Sequence, residues 1–233
     1  MLQDHPRNKA YRDAILSNKD DFKDKIVLDI GAGSGILSVF CAQAGAKTVY
    51  AVEASNIYKI AEETAKENDF QDVIKVIHSI VEEAILPQKV DIIVSEWMGF
   101  YLLHEAMLNS VIVARDKFLK PDGLLFPESA TLYSVPCSVS SMFDFWESVD
   151  GVSMQHFGKS VRENASKKPI TELVSPESLL CDPEVVIWLD LREVTLEDIN
   201  TIQMRHIAVA NKHGKYQGIF LFLHTFDVCR LPT

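Results

Sequence analysis

Two glutamates, Glu96 and Glu105, lie nine residues apart and enclose a segment of mainly aromatic and apolar side chains. So apolar a segment is not expected to lie in solvent, and we expect it to close over a pocket where the two carboxylates converge. Paired carboxylates commonly bind a metal, carry out acid–base chemistry on a sugar, or hold a guanidinium group bidentately. No His or Asp at ligand spacing joins the pair, which disfavours a metal site. Each glutamate acting alone would instead cap a helix or lie on the surface.

A glycine-rich segment, VLDIGAGSG at 27–35, forms a second candidate site. Its glycines follow a short apolar run and precede a helix pattern, as in turns that bring the backbone close to a ligand. Their spacing is G-x-G-x-G, so neither the dinucleotide fingerprint nor the P-loop is present. Glu53 ends the next predicted strand, where a carboxylate can accept hydrogen bonds from a ribose diol. Together they predict an adenosine-containing ligand without a pyrophosphate; the alternative is a turn that serves only tight packing.

Two further carboxylates are candidates for the same ligand. Asp29 lies at the tip of the strand before the glycines, where it could bind or orient an ammonium group. Glu82 follows the third predicted strand and could accept a hydrogen bond from an adenine amino group. Taken alone, Glu82 is better explained as one of several surface carboxylates.

Alternating strand and helix patterns in the first half would bring these residues to one edge of a sheet. Such alternation predicts a parallel sheet, and ligands bind at the edge where its strands end. The predicted strands cover 25–30, 47–52, 73–77 and 90–94, and the predicted helices cover 36–44, 55–68 (with Ser55 as N-cap) and 104–118.

The second half is different, with strands predominating and a polar, partly helical stretch at 143–175. We therefore predict a domain at 1–126 and a second, strand-rich domain at 127–233. The predicted strands cover 131–137, 184–191, 202–210 and 216–226, the last two joined as a hairpin.

Composition narrows the function classes. The chain has 233 residues, 47% of them hydrophobic, and a net charge of −10, which indicates a globular protein. Its acidity disfavours binding to nucleic acid and favours basic partners. No apolar run is long enough for a membrane helix, and no secretory signal is recognisable. The four cysteines are far apart, so we expect reduced thiols and a location in the nucleus or cytoplasm.

The sequence resembles the protein arginine N-methyltransferases, most closely type I, which form asymmetric dimethylarginine. The two-glutamate segment is specific to that family, whereas the glycine turn marks the wider S-adenosylmethionine class. The resemblance implies an α/β fold, with a Rossmann-like S-adenosylmethionine-binding domain followed by a β-barrel-like domain, here apparently truncated. It rests on VLDIGAGSGILS at 27–38, VEAS at 52–55, VEE at 81–83, SEWMGFYLLHEAML at 95–108 and LLFPESATLY at 124–133, with a weaker match in FDFWESVDGVSM at 143–154.

The resemblance also implies residue roles in binding the cofactor, S-adenosyl-L-methionine, and its product, S-adenosyl-L-homocysteine. Gly31 and Gly33 approach the cofactor, Glu53 holds the ribose, and Glu82 faces the adenine. Arg7 matches an arginine that pairs with the methionine carboxylate of the cofactor. No metal is expected.

On the substrate side, Glu96 and Glu105 match the catalytic pair that grips the substrate arginine, and Met107 matches a methionine beside the methyl-transfer site. Two carboxylates can draw the guanidinium charge toward some nitrogens and leave one terminal nitrogen richer in lone-pair density. The acidic surface favours basic or Arg/Gly-rich protein substrates, such as histones. No direct contact with nucleic acid or membrane is expected.

Some family features are not found. The family has a Tyr/Phe-rich segment and a histidine upstream of the position of MLQD, and a later Thr-His-Trp loop. We therefore expect either a natural short form or a fragment of a longer chain, incomplete at its C-terminus. In the family an arm of the second domain, here about 143–175, joins two copies, so a homodimer is expected; alternatively, the apolar side chains of this stretch pack within the chain. Two other functions stay open: a non-catalytic form that binds cofactor and partners, and a small-molecule methyltransferase, which the glutamate pair disfavours.

Overall fold

The computed structural model describes residues 2–104, 107–139, 144–165, 170–171, 173–203 and 207–226. Its contacts divide the chain into two units. The first contains Met1–Ala130, Leu189–Ile202 and Thr225–Thr233, and the second contains Thr131–Trp188 and Gln203–His224. The segment 189–202, which the sequence analysis assigns to the second domain, thus packs with the first unit.

The first unit is built around a five-stranded parallel sheet. Its strands are β1 (Ile26–Ile30), β2 (Thr48–Glu53), β3 (Ile74–His78), β4 (Val90–Ser95) and β5 (Leu119–Phe126). Its helices are α1 (His5–Ser17), α2 (Lys19–Phe22), α3 (Ile36–Gln43), α4 (Tyr58–Glu67) and α5 (Met107–Phe118). The α/β fold with a parallel sheet is confirmed.

The strand order is β3-β2-β1-β4-β5, so the order reverses between β1 and β4. A crevice opens at such a reversal, at the carboxyl ends of the strands, and it is where α/β sheets bind ligands. All five residues of β1 are buried, as its continuous apolar run predicts for a strand covered on both faces. The exception to that apolar run is Asp29, which is fully buried.

Two helices begin later than the sequence patterns predict. The helix predicted from Ser55 begins at Tyr58, because the Ser55 hydroxyl accepts from the backbone N–H of Ile57 in a turn that precedes the helix. The helix predicted from His104 is α5, which begins at Met107; His104 itself lies in a turn.

The second unit contains most of a three-stranded sheet in the order β7-β6-β8. These strands are β6 (Ser129–Cys137), β7 (Glu184–Asp190) and β8 (Gly218–Phe226), and the other elements of the second half are a 3-10 turn at Asp144–Glu147, α6 (Gln155–Ala165), a 3-10 turn at Pro176–Ser178 and, in the first unit, α7 (Leu196–Thr201). The strand-rich second domain is thus confirmed as a class.

The predicted strand at 202–210, and with it the predicted hairpin, is wrong for the residues that are described. Residues 207–217 contain neither helix nor strand, and residues 204–206 lie outside the described chain. A capping box between Thr195 and Asp198 starts α7 just before this segment. Beyond it, between the two predicted strands, the backbone N–H groups of Asn211 and Lys212 donate to the carbonyl of Leu180.

In the stretch at 143–175, some apolar side chains are packed and others are largely exposed. Trp146 is partly buried against the ring of Phe157, with centroids 5.1 Å apart. Phe157 keeps 51% of its surface exposed and Met154 keeps 36%. Residues 143, 166–169 and 172 of this stretch lie outside the described chain. Among the described helices, none has the length and hydrophobicity to cross a membrane.

Candidate active site

The glycine turn lies directly after β1, at the reversal of strand order. The backbone N–H groups of Gly31 and Ala32 donate to the carbonyl of Val52, at 2.9 and 3.1 Å, which ties the turn to β2. Gly31, Gly33 and Gly35 all have positive φ, a conformation that residues with a Cβ rarely adopt. Gly35 is the N-cap of α3, so the turn leads directly into the helix N-terminus.

Glu53 ends β2 and is held against the glycine turn. Its Oε2 accepts from the backbone N–H of Gly33 at 2.9 Å, and its Oε1 accepts from the N–H of Ser55 at 2.8 Å. Partial burial acts to raise the pKa of Glu53, but the hydrogen bonds from Ser55 and Gly33, with His78 nearby, outweigh it and the pKa is lowered. The carboxylate is therefore ionised at neutral pH and fixed in orientation.

Asp29 lies one strand position before Ile30, with its carboxyl group inside the protein. Its Oδ2 accepts from the Ser38 hydroxyl at 2.6 Å, and its Oδ1 has no hydrogen-bond partner among the described residues. Burial raises the pKa of Asp29 to about 7, against the hydrogen bond from Ser38 and with a smaller contribution from the Glu53 charge. A buried carboxyl group with one unpaired oxygen is a site where a cation can bind.

Met107, the first residue of α5, lies over the glycine turn. A Cβ built on Gly31 would overlap the Cε methyl group of Met107. A Cβ built on Gly33 meets nothing closer than the Gly31 carbonyl oxygen, at 3.8 Å. The two glycines thus share a backbone conformation, but only at Gly31 would a side chain have to displace another group, the flexible end of Met107.

Substituting Gly31 with Ala is therefore expected to destabilise the first unit by more than Gly33→Ala does. Both variants place a Cβ at positive φ, which costs about 1–2 kcal/mol. Only Gly31→Ala must also displace the end of Met107, so in a Met107→Ala background the Gly31→Ala loss should shrink to that of Gly33→Ala. Urea unfolding of the unmodified chain, the three single variants and the double variant measures it; equal losses for the two glycine variants would contradict the packing of Met107 on this turn.

Glu96 directly follows β4, whose last residue pairs in register with Ile30 of β1. Its side chain is 16% exposed, and its Oε1 lies 3.2 Å from Nη1 of Arg7 on α1. This contact is an ion pair whose geometry is not that of a hydrogen bond, since Oε1 accepts none from the described residues. Arg7 also contacts Asp4, the N-cap of α1, with Nε 3.0 Å from Oδ2. The structure therefore brings the predicted cofactor arginine and the predicted catalytic glutamate together.

Tyr11 holds α1 against the end of β4, a contact that sequence reasoning missed. Its hydroxyl donates to the carbonyl of Ser95 at 2.9 Å, and the Ser95 hydroxyl donates to the carbonyl of Ile30 at 2.9 Å. Both side chains are buried. Tyr11 is a buried residue of α1, but nothing in the sequence shows that its hydroxyl reaches β4.

The two-glutamate segment is only partly described, because Glu105 lies outside the described residues together with Ala106. Before it, the backbone N–H and carbonyl groups of Gly99 and Leu102 pair with each other at 3.2 and 3.0 Å. Tyr101 and Leu102 both have positive φ. The segment therefore forms a tight turn, as a hairpin-like closure would require, with Phe100 and Tyr101 exposed at its tip.

Glu82 lies on the surface, where its Oε1 accepts from the hydroxyl of Ser110 on α5 at 2.6 Å. Lys117, also on α5, donates to the backbone carbonyls of Glu82 and Ala84. These bonds fix the segment after β3 to α5. Within the described part of the chain, no group of three or more His, Cys, Asp or Glu side chains could hold a metal ion.

Comparisons with known families match both halves of the chain. The family described as the arginine methyltransferase oligomerization subdomain matches residues 128–231. The family described as ribosomal protein L11 methyltransferase (PrmA) matches residues 14–125.

Individual relatives are arginine methyltransferases by name. The chain is 43% identical over 232 residues to a probable protein arginine N-methyltransferase 6 of Arabidopsis thaliana, covering 98% of this chain and 53% of that protein. It is 45% identical to protein arginine N-methyltransferase 6 of Xenopus tropicalis, covering 93% of this chain and 63% of that protein. The chain thus spans about half to two thirds of the length of these relatives.

Solved structures are similar to this chain as well. The Trypanosoma brucei PRMT1 enzyme–prozyme heterotetrameric complex with AdoHcy matches with a TM-score of 0.73 and 38% identity, over 85% of this chain and 63% of that chain. A crystal structure of PRMT6 with SAH matches with a TM-score of 0.72 and 33% identity, over 84% of this chain and 66% of that chain.

Proposed function

The chain belongs to the protein arginine N-methyltransferase family, and on that premise we propose that it transfers methyl groups from S-adenosylmethionine to guanidinium nitrogens of arginine in protein substrates. The observation that carries this proposal is the position of Glu96. Its carboxylate is mostly buried at the carboxyl end of β4, beside the strand that bears the glycine turn, and it already faces a guanidinium group. A mostly buried carboxylate in this position suits the guanidinium of an arginine and not a neutral substrate.

The residues at the edge of the sheet fit an adenosine-containing cofactor. Gly31 and Gly33 leave the backbone of the turn open to close approach, and Glu53 is ionised and oriented to accept hydrogen bonds from the ribose hydroxyls. The unpaired Oδ1 of Asp29 suits the amino group of the methionine part, and Arg7 suits its carboxylate. Glu82 is proposed to accept from the adenine amino group. S-adenosylmethionine, when bound, supplies an electrophilic methyl group on a sulfonium.

The chain's own residues then act on the substrate arginine. A guanidinium is a poor nucleophile because its charge is delocalised and its pKa lies far above neutral pH. Glu96 and Glu105 are proposed to bind the nitrogens that do not react, which concentrates positive charge there and leaves the third nitrogen with more lone-pair density. Holding that nitrogen in line with the methyl group removes orientational entropy from the barrier. The proton that the nitrogen loses goes to a carboxylate oxygen of this pair.

The finer features of this function are proposals as well. We propose that the chain is a type I enzyme, as its sequence resemblance implies. We propose basic or Arg/Gly-rich substrates such as histones because its net charge of −10 favours cationic segments. A homodimer is supported by the match of 128–231 to an oligomerization subdomain and by the exposed Met154 and Phe157. Nucleus and cytoplasm both stay predicted locations.

Transfer of a labelled methyl group from S-adenosylmethionine to an Arg/Gly-rich peptide tests the function. The expected result is label in the peptide, lost when its arginines are replaced by lysine, and asymmetric dimethylarginine in the hydrolysate. Binding of S-adenosylhomocysteine, measured in parallel by calorimetry, separates the alternatives. Binding without transfer would favour the non-catalytic form that serves as a partner-binding or dimerisation module, and absence of binding would contradict the proposed function itself.

A further inference from the structure

His78 ends β3 beside the residue that is proposed to hold the ribose, and it has no role in the function proposed above. It pairs in register with Glu53, the last residue of β2, so the two residues lie at the same edge of the sheet. The backbone N–H of Ser79 donates to the carbonyl of Glu53 at 3.2 Å, which ties the ends of the two strands together. The imidazole of His78 is exposed and therefore lies at the border of the proposed cofactor site.

A single peptide group, between residues 54 and 55, joins the ring of His78 to the carboxylate of Glu53. Nε2 of His78 lies 3.1 Å from the carbonyl oxygen of Ala54. A carbonyl oxygen can only accept, so Nε2 must carry a proton and donate it to this bond. On the other side of the same peptide group, the N–H of Ser55 donates to Oε1 of Glu53 at 2.8 Å. The carbonyl and the N–H of a trans peptide point in opposite directions, so the two bonds hold the group from both sides.

The bond from His78 also makes the N–H of Ser55 a better donor to Glu53. Hydrogen bonds in a chain polarise one another, so a carbonyl that accepts a bond leaves more positive charge on the N–H of its own peptide group. Partial burial acts to raise the pKa of Glu53, but the bonds from Ser55 and Gly33 and the nearby His78 lower it. A carboxylate offers about four acceptor positions, so Glu53 can accept from ribose hydroxyls while it keeps both N–H bonds.

Tyr58, the first residue of α4, holds the imidazole of His78 in this position. Its half-buried ring stacks on that of His78, with the centroids 4.1 Å apart and the planes 15° apart. Aromatic rings at this separation attract each other, which restricts rotation of the His78 side chain. The stack and the bond to Ala54 therefore fix a side chain that would otherwise rotate in solvent, and the peptide group that it fixes is the one that binds Glu53.

We propose that His78 is a positioning residue of the cofactor site, which orients the carboxylate of Glu53 toward the ribose hydroxyls through the peptide group between Ala54 and Ser55. The inference rests on the proposed function, in which Glu53 accepts hydrogen bonds from the ribose. His78 acts through Glu53 and needs no contact with the cofactor. Its contribution to affinity should therefore depend both on the ribose hydroxyls and on the Glu53 carboxylate, which neither a structural role nor a direct contact would reproduce.

Calorimetry with two ligands tests this role. S-adenosylhomocysteine and its analogue without the 2′ and 3′ hydroxyls are titrated into the unmodified chain, His78→Phe and His78→Gln. His78→Phe keeps a ring for Tyr58 but removes the donor, and we expect it to bind S-adenosylhomocysteine about fivefold more weakly, the effect of losing one hydrogen bond. Its affinity for the analogue should be unchanged. His78→Gln supplies an amide donor near the position of Nε2 and should recover most of the affinity for S-adenosylhomocysteine.

Two further variants serve as controls. Glu53→Gln should bind S-adenosylhomocysteine more weakly, and adding His78→Phe to it should lower the affinity no further, because residues that act through one another are not additive. His156→Phe makes the same exchange at an exposed histidine of α6, in the second unit, and should bind both ligands as the unmodified chain does. Circular dichroism verifies that all variants are folded.

Four results would overturn the role of His78 and leave the proposed function intact. Full affinity of His78→Phe for S-adenosylhomocysteine would show that the side chain contributes nothing, and an equal loss for both ligands would show a structural role. Equal losses in His78→Phe and His78→Gln would exclude the hydrogen bond as the link. An undiminished loss in the Glu53→Gln background would show that His78 acts independently of Glu53. Failure of S-adenosylhomocysteine to bind the unmodified chain would overturn the proposed function, and this inference with it.

Discussion

Replacing Glu96 with Gln is expected to lower methyl transfer to an arginine peptide by at least about a hundredfold, the usual effect of deleting one electrostatic contact to a transition state. Gln has the same shape as Glu and can still accept a hydrogen bond at Oε1. What it lacks is the negative charge that opposes the delocalised guanidinium cation. Because Glu96 is mostly buried, that charge acts through little water, and its loss is not made up by solvent.

Cofactor binding separates this effect from misfolding. S-adenosylhomocysteine affinity of Glu96→Gln should stay within about threefold of the unmodified chain, since the loss concerns the substrate site. Glu83→Gln, an exposed carboxylate next to Glu82, removes the same charge elsewhere in the first unit and should transfer at the normal rate. Normal transfer by Glu96→Gln would remove the central argument for the proposed function.

The role of Glu105, which lies outside the described residues, can be tested by substitution. If the two glutamates act on one guanidinium as a unit, Glu105→Gln should cost about as much as Glu96→Gln, and the double variant little more than either, because residues that act as a unit are strongly non-additive. If the loss of methyl transfer in the double variant equalled the product of the two single losses, the two glutamates would act independently. The comparison uses the same peptide assay and the same binding control.

The parallel sheet and its ligand edge were predictable because they follow from local patterns. Strands buried on both faces are continuous apolar runs, and Ile26–Ile30 and Val90–Ser95 show this despite Asp29 and Asp91. Each proposed site residue near the sheet lies at the end of a strand or within a few positions of it, so a correct strand prediction places it. Gly33 and Glu53, for example, are 20 residues apart and are joined by a hydrogen bond.

The contacts of α1 were not predictable in the same way. Arg7 and Glu96 are 89 positions apart, and the end of α1 that carries Arg7 is positioned by the Tyr11 hydroxyl, whose partner is a backbone carbonyl. A backbone acceptor leaves no mark on residue type.

The second large effect concerns Asp29, whose ionisation is expected to make the cofactor-free chain less stable as pH rises. Its pKa is about 7 in the folded chain and 3.8 by its ordinary value, so between these the folded state holds a proton that the unfolded state releases. Stability therefore declines as pH rises from the ordinary pKa toward the folded one. Between pH 5 and pH 8 this linkage lowers the free energy of unfolding by about 2–3 kcal/mol.

Asp29→Asn should remove this pH dependence. The free energy of unfolding in urea is measured between pH 5 and pH 8. Over this range it is expected to fall by about 2–3 kcal/mol more in the unmodified chain than in the variant. Asp91→Asn is the matched control. Burial acts to raise the pKa of Asp91, but Lys120 and the Ile26 N–H outweigh it and the pKa is lowered, so Asp91 is ionised in both states across this range. The free energy of unfolding of Asp91→Asn should therefore differ from that of the unmodified chain by the same amount at every pH. If Asp29→Asn also kept the pH dependence of the unmodified chain, the raised pKa of Asp29 would be contradicted.

The same ionisation links stability to function. An ammonium group bound at Oδ1 would favour the ionised carboxylate, so S-adenosylhomocysteine should bind about tenfold more weakly at pH 6 than at pH 8, where the proton no longer has to be displaced. Binding should also flatten the stability decline, because the bound cation compensates the buried charge. In Asp29→Asn, cofactor affinity should be lower and lose this pH dependence. If the variant kept the same pH dependence of cofactor affinity, the amino group of the cofactor would not bind at Asp29. The burial of Asp29 would then lower stability without serving cofactor binding.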